Sequence, residues 1–230
     1  MEIVFTYLPI RLKEVTEIYL SHSIKKLNEQ SIVPLIYSDS DYFIGRGMKY
    51  EWIEFNIEER YKRNNLWSYP KLKVLSSISF PFIHLDNDLI VNDFNKLNSI
   101  IEPKKLNLCY KHELTKGQIN DFTELYKMYS NNPLDFKDLN NTSIIASNNY
   151  TDVNKTYQEV LEVIDLNYDF FTKRYNNIPP ITLNQQHLNR YFKDINYLFR
   201  GNPSFMDLES NGVCHIDEKN LPRFLIKDLI

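Results

Sequence analysis

The chain has 230 residues and a formal net charge of -3, with 27 Lys and Arg against 30 Asp and Glu, which argues against a nucleic-acid binder built on a basic stripe. Its 43% hydrophobic and 14% aromatic content excludes a disordered chain and suffices for a packed core. The length suits one α/β domain spanning 1–230.

Ile3 to Tyr7 is a β-branched and aromatic run ending before Pro9, and predicts a first, central strand. The start carries no basic flank or long apolar core, and no later window reaches membrane-spanning length, so a cytoplasmic protein without a transmembrane segment is expected. Leu12 to Asn28 has apolar residues at helical spacing. Ser31 to Tyr37 predicts a second strand, and Asp39 in the loop beyond it stands where an acid can bond a ribose or cap a turn. Gly45 and Gly47 form no phosphate loop, lacking both the third dinucleotide glycine and a Gly-Lys-Ser/Thr. Tyr50 to Ile57 alternates as a strand, and Glu58 to Asn65 reads as a charged, exposed connection. Ser68 and Pro70 open a helix whose Leu72, Val74, Leu75 and Ile78 face the core.

That helix feeds Phe80-Pro-Phe-Ile-His-Leu-Asp-Asn-Asp-Leu-Ile-Val91, an apolar strand running into Asp86 and Asp88. Residues i and i+2 of a strand point the same way, so both carboxylates project together at the strand's carboxyl end, where open α/β sheets bind ligands. They repel unless a cation sits between them, and a divalent metal carrying substrate phosphates is the natural occupant. His84 shares that strand face and reads as structural.

Further on, Phe94 to Ile101 predicts a helix stopped by Pro103, Leu106 to Tyr110 a strand, Ile119 to Tyr129 a helix and Thr142 to Ala146 a buried strand. Asp152 is expected to cap a long helix carrying Val153, Tyr157, Val160, Leu161 and Ile164 on one stripe. Leu183 to Asp194 follows as a helix, with short strands at Asn196 to Phe199 and Val213 to Ile216. Cys109 and Cys214 fit neither a zinc spacing nor a disulfide framework and read as buried thiols. The terminal Phe224-Leu-Ile-Lys-Asp-Leu-Ile230 reads as a last docked helix, with peripheral membrane contact as the alternative. The alternation of strands and helices predicts a mostly parallel twisted sheet with helices on both faces.

The stretch from Leu66 through Asp88 resembles the helix-then-strand entry into the DxD motif of nucleotide-sugar-dependent glycosyltransferases of the GT-A fold, including a group of bacterial GT-A-like proteins with a Trp and a Lys on that helix. Asn141-Thr-Ser-Ile-Ile-Ala-Ser-Asn148 is similar to the Asn-x-Gly strand of the glycogenin and bacterial galactosyltransferase family, with Ser143 in place of glycine. Asn184-Gln-Gln-His-Leu-Asn189 resembles its Asp-Gln-x-x-Leu-Asn segment, Asn184 replacing the acid. Gly212-Val-Cys-His-Ile-Asp-Glu-Lys219 is similar to the late strand whose histidine completes the metal site; the family's following glycine is absent and its lysine displaced.

The resemblance implies a GT-A-type domain transferring a hexose from a nucleotide sugar, UDP-linked, to a glycan, lipid or protein acceptor. It implies Asp86, Asp88 and His215 as ligands of Mn2+ or Mg2+, the imidazole tilting the choice to Mn. Thr6 and Tyr7 at the end of the first strand would face the base. Lys71 and Lys219 would contact the donor's phosphates or sugar, and Asn87 lies inside the motif. Gln185 and Gln186 fall where the family holds residues near the anomeric carbon, Asn141 joins them as catalytic, and Asn141 and Asn148, read with Asp86, Asp88 and His215, would form the floor of the sugar-nucleotide site. No general base can be named, which favours retention. The rivals are a haloacid-dehalogenase-like phosphotransferase, which also uses strand-Asp-x-Asp but near its N-terminus, and a catalytically idle GT-A-like binding protein.

Overall fold

The computed structural model describes residues 1–8, 13–39, 47–63, 68–113, 116, 138–166, 168–169, 188, 192–201 and 205–215. In chain order its elements are β1 (Glu2–Tyr7), α1 (Lys13–Glu29), β2 (Leu35–Ser38), β3 (Glu51–Glu54), α2 (Glu59–Arg63), α3 (Tyr69–Leu75), β4 (Phe82–Leu85) and β5 (Leu89–Val91). There follow α4 (Phe94–Ser99), β6 (Leu106–Glu113), β7 (Asp138–Ser147), α5 (Tyr150–Leu166), β8 (Ile195–Tyr197), α6 (Phe205–Ser210) and β9 (Val213–His215).

Seven strands make one sheet in the order β3-β2-β1-β4-β7-β6-β8. Strand β1 pairs in parallel with β2 and β4, β2 with β3, and β6 with β8. Strand β7 alone runs antiparallel to its neighbours β4 and β6. The mixed, mostly parallel α/β architecture is the expected one, and alternation along β1 shows how it is built. Ile3, Phe5 and Tyr7 enter one core, with Leu20, Ile24 and Leu27 of α1, Leu97 of α4 and Leu208 of α6. Val4 enters the other, with Tyr61 of α2, Leu72 and Leu75 of α3 and Val153, Tyr157, Val160 and Ile164 of α5. Both faces of a parallel sheet must be covered, which is why β1 and β4 read as nearly continuous apolar runs.

Several local readings differ. The run Glu58 to Asn65 is no exposed connection: it holds α2, and Tyr61 within it is fully buried. Its ring stacks on Tyr69 with centroids 3.8 Å apart, and its hydroxyl donates to Asp165 at the end of α5. One aromatic with a hydrogen-bond partner outweighs the surrounding charges. Asn149, not Asp152, precedes α5: its Oδ1 accepts the Asp152 backbone amide at 3.4 Å and its Nδ2 donates to the Asp152 carboxylate. Leu89 to Val91 leaves the main sheet as β5 and pairs antiparallel with β9 in a separate ribbon. The expected helix at Ile119 to Tyr129, most of the one at Leu183 to Asp194, and the C-terminal segment lie outside the described residues.

Helix α3 is placed by its surroundings. Tyr69, Pro70, Leu72, Val74 and Leu75 are buried, each large apolar side chain contributing about 1.5–3 kcal/mol. Two α5 side chains one turn apart hold the segment beyond it: Asn154 Nδ2 donates to the Ile78 carbonyl at 2.7 Å and Gln158 Nε2 to that of Ser76 at 3.2 Å. The polar face of α3, with Lys71, is thereby fixed against the carboxyl end of β4.

Candidate active site at the carboxyl ends of β1 and β4

Beyond Leu85 the chain turns tightly, the Leu89 amide donating to the Asp86 carbonyl at 3.1 Å. Asp86, Asn87 and Asp88 occupy this turn at the edge where the parallel strands end. Asn87 Nδ2 donates to the Thr6 carbonyl at 2.9 Å, tying the turn to the end of β1. Its Oδ1 is buried and finds no hydrogen-bond partner among the described residues.

Lys71 reaches this turn from α3. Its Nζ donates to Asp86 Oδ1 at 2.6 Å and to the Thr142 carbonyl of β7. That carbonyl is free because β7 bulges there: two steps along β6, from Leu108 to Tyr110, answer four along β7, from Ile145 to Asn141. Bulges concentrate beside active sites, where they re-aim backbone groups. Sequence reasoning missed this role of Thr142, which has no side-chain signature.

The Asp86 carboxyl is held above its ordinary pKa, first by burial among densely packed neighbours; Asp88 adds to the rise, while Lys71 and the Ser143 hydroxyl oppose it. The crowding is local, since the side chain as a whole keeps 35% exposure. His84, two residues earlier on the same face, is 1% exposed with Nε2 3.0 Å from Thr6 Oγ1. Burial, then the Lys71 charge, push its pKa well down, so the imidazole is neutral and structural, as the sequence suggested.

The other expected site residues sort by topology. Thr6 is 8% exposed and lies against the Asn87 turn. Tyr7 is 1% exposed: its ring is in the core and its hydroxyl donates to Glu17 Oε1 of α1 at 2.6 Å. Its ring is thereby closed to stacking. Asp39 follows Ser38, which pairs with Tyr7, so it stands at the same sheet edge. Asn141 lies at the site end of β7, where its Oδ1 accepts the Ser143 amide at 3.0 Å.

Asn148 does not join it. Because β7 runs antiparallel to β4, the Ser143 carbonyl accepts the Asp86 amide while Ser147 pairs with Phe82 at the opposite end. Five strand positions at about 3.4 Å each put Asn148 roughly 17 Å away, bonded instead to the Pro103 carbonyl. Both asparagines of the resemblance therefore cannot floor one site. His215 arrives by backbone: it pairs with Leu89, the residue after Asp88, and antiparallel partners have Cα atoms about 4.5–5.5 Å apart. Gln185, Gln186 and Lys219 lie outside the described residues.

The donor set suits a hard divalent cation. Two carboxylates and the buried carbonyl oxygen of Asn87 share one turn, and one lysine stands beside them. Among the described side chains, of which His215's is not one, no cluster of three His, Cys, Asp or Glu is present. No helix of the described residues is long and apolar enough to cross a membrane.

No protein-family model matches the chain, and no curated protein matches it in sequence. Solved structures do. The chain is similar to the galactosyltransferase LgtC in complex with donor and acceptor sugar analogues, with TM-score 0.51 and 16% identity over 86% of this chain and 73% of that one. An active-site mutant of LgtC gives TM-score 0.50 and 16% identity, covering 86% and 72%. The glycosyltransferase GlyE of Streptococcus pneumoniae TIGR4 scores 0.42 at 13% identity, covering 88% and 45%. With its mostly parallel seven-stranded sheet, its helices on both faces and the likeness to LgtC, the chain has a GT-A-type glycosyltransferase fold.

Proposed function

We propose that residues 1–230 form one cytoplasmic glycosyltransferase domain, which moves a hexose from a UDP-linked donor to a glycan, lipid or protein acceptor with a divalent cation bound. The observation that carries this reading is the Asp86-Asn87-Asp88 turn at the carboxyl ends of β1 and β4, with the Lys71 ammonium on Asp86, in a fold shared with LgtC.

In this proposal the bond between the sugar's anomeric carbon and the diphosphate oxygen breaks, and one forms to an acceptor hydroxyl oxygen. The acceptor's proton leaves to solvent or to the departing diphosphate. Asp86, Asp88 and His215 would hold Mn2+ or Mg2+, which would supply positive charge against the leaving diphosphate. Asn87 fixes the turn to β1, so the carboxylates keep their spacing while the sugar changes partners. Lys71 adds a cation beside the phosphates or sugar, Lys219 a second, and Asp39, Thr6 and the Tyr7 backbone receive the nucleoside. Gln185, Gln186 and Asn141 line the sugar side.

The experiment is a screen of nucleotide sugars by thermal shift with and without Mn2+, followed by an assay of UDP release and of product configuration. A donor that raises the melting temperature only with metal, and is slowly hydrolysed, supports the proposal. Release of phosphate from simple esters would favour the phosphotransferase, and metal-dependent binding without hydrolysis or transfer an idle binding protein.

A further inference from the structure

Gly212 links three elements at one point. It ends α6, its amide donating to the Glu209 carbonyl at 3.1 Å while the Asn211 amide donates to that of Leu208 at 3.1 Å. Its φ of 76° lies in the left-handed region that ends helices and favours glycine. Its carbonyl accepts two amides from the start of α4, Asn92 at 2.8 Å and Asp93 at 3.1 Å. The fit leaves no room for a side chain: a Cβ would stand 2.3 Å from the Asp93 carbonyl oxygen and 2.9 Å from Asp93 Cβ. Asp93 is held from its other side, since its Oδ1 caps α4 by accepting the Lys96 amide at 3.1 Å. Gly201, also left-handed with φ 67°, has nothing within 4 Å of its would-be Cβ.

The next residue begins β9. Val213 pairs with Val91, Cys214 with Ile90 and His215 with Leu89. A strand of three residues has little side-chain pattern to fix its register, and a slip of one position turns every side chain to the other face. The far edge of β5 is already fixed: Ser23 Oγ donates to the Leu89 carbonyl at 2.6 Å and Gln30 Nε2 to the Val91 carbonyl at 2.8 Å. The ribbon therefore has one settled strand and one that needs a stop.

We propose that Gly212 is that stop: a positioning residue whose clamp on Asn92 and Asp93 sets the β9 register and so delivers His215, rather than a neighbour, beside Asp88. This rests on the proposed metal role of His215. A side chain at 212 pushes β9 off Asp93, and His215 loses its place without being altered.

The test follows free Mn2+ by electron paramagnetic resonance in the presence of saturating UDP, and titrates buried thiols with a thiol-reactive dye. Cys214 in β9 is 1% exposed, and Cys109 in β6, 3% exposed, is the internal reference. G212A is expected to weaken Mn2+ binding about 10–100-fold, the range for losing a group that orients a metal ligand, and to expose Cys214 but not Cys109. G201A, which carries the left-handed strain without the clash, should match wild type in both readouts. If G212A does not fold, insertion of one glycine between Gly212 and Val213 decides, because it leaves the clamp intact. A register set at Gly212 then carries His215 out of place and weakens Mn2+ binding, whereas wild-type affinity means the insert is looped out and overturns the proposal. Wild-type Mn2+ affinity with an unreactive Cys214 in folded G212A overturns it as well. H215A and D88A with wild-type Mn2+ affinity would instead defeat the metal reading, and reactivity of Cys214 in G212A still judges the clamp.

Discussion

Replacing Lys71 by methionine keeps most of the stem that packs on α3 and removes the ammonium. In wild type that group is 2.6 Å from Asp86 Oδ1, the lysine side chain being 14% exposed and the aspartate 35%. Losing one partner of a fully enclosed pair costs about 3–5 kcal/mol. Because a third of Asp86 meets solvent, water takes up part of the loss, and we expect about 2 kcal/mol. For a chain of this length that is a fall of about 4–8 °C in Tm. Two carboxylates without an ammonium also want a counterion, so K71M should gain more Tm from Mn2+ than wild type does. Differential scanning fluorimetry of both proteins, each with EDTA and with Mn2+, reads the two effects. A K71M melting temperature within about 1 °C of wild type in EDTA would put the pair in the class of exposed ion pairs and refute the reasoning from enclosure.

Two further outcomes follow from groups outside the proposed metal site. Tyr61, pushed up to about 12 by burial and then by its hydrogen bond to Asp165, keeps its proton in the folded chain where the unfolded chain loses it near pH 10. Its stabilising contribution is complete below pH 10 and is lost as pH rises toward 12, so Tm should fall through that window, and D165N should move the tyrosinate absorbance change to lower pH. Gln30 accepts the Phe94 amide at 2.6 Å and donates to the Val91 carbonyl; Q30A strips both, costs about 1 kcal/mol, and should speed hydrogen exchange at the Phe94 amide while leaving Leu97 protected.

The sequence is most legible where a pattern is local. The apolar run ending at Asp86 and Asp88, and the Leu72, Val74, Leu75 stripe beside it, read directly as strand and helix, because burial on a sheet or helix face imposes a period. Tyr61 was hidden because its partners, Tyr69 and Asp165, come from other helices, and a single buried ring leaves no period. Asn148 was misplaced because strand direction is set by the chain's path and not by strand composition. The bulge that frees the Thr142 carbonyl, and the clamp at Gly212, are backbone features; Asn211-Gly212 marks a turn in sequence but does not say what the turn holds.

The place of β1 in the sheet has a consequence for synthesis. Its partner β2 follows within a few dozen residues, but on its other edge Glu2 pairs with Phe82 and Ile3 with Ile83, eighty positions downstream. A ribosome adding about 5–20 residues per second takes about 4–16 s to supply that neighbour. For that interval the apolar edge Ile3-Val4-Phe5 is paired on one side only, and open apolar edges recruit other strands. The charged outer strand β3, with Glu51 and Glu54 exposed, guards one flank of the nascent sheet from early on. The vulnerable flank is the one that later carries the site, so conditions that slow elongation between β3 and β4 should lower the yield of folded chain more than the same delay placed after β7.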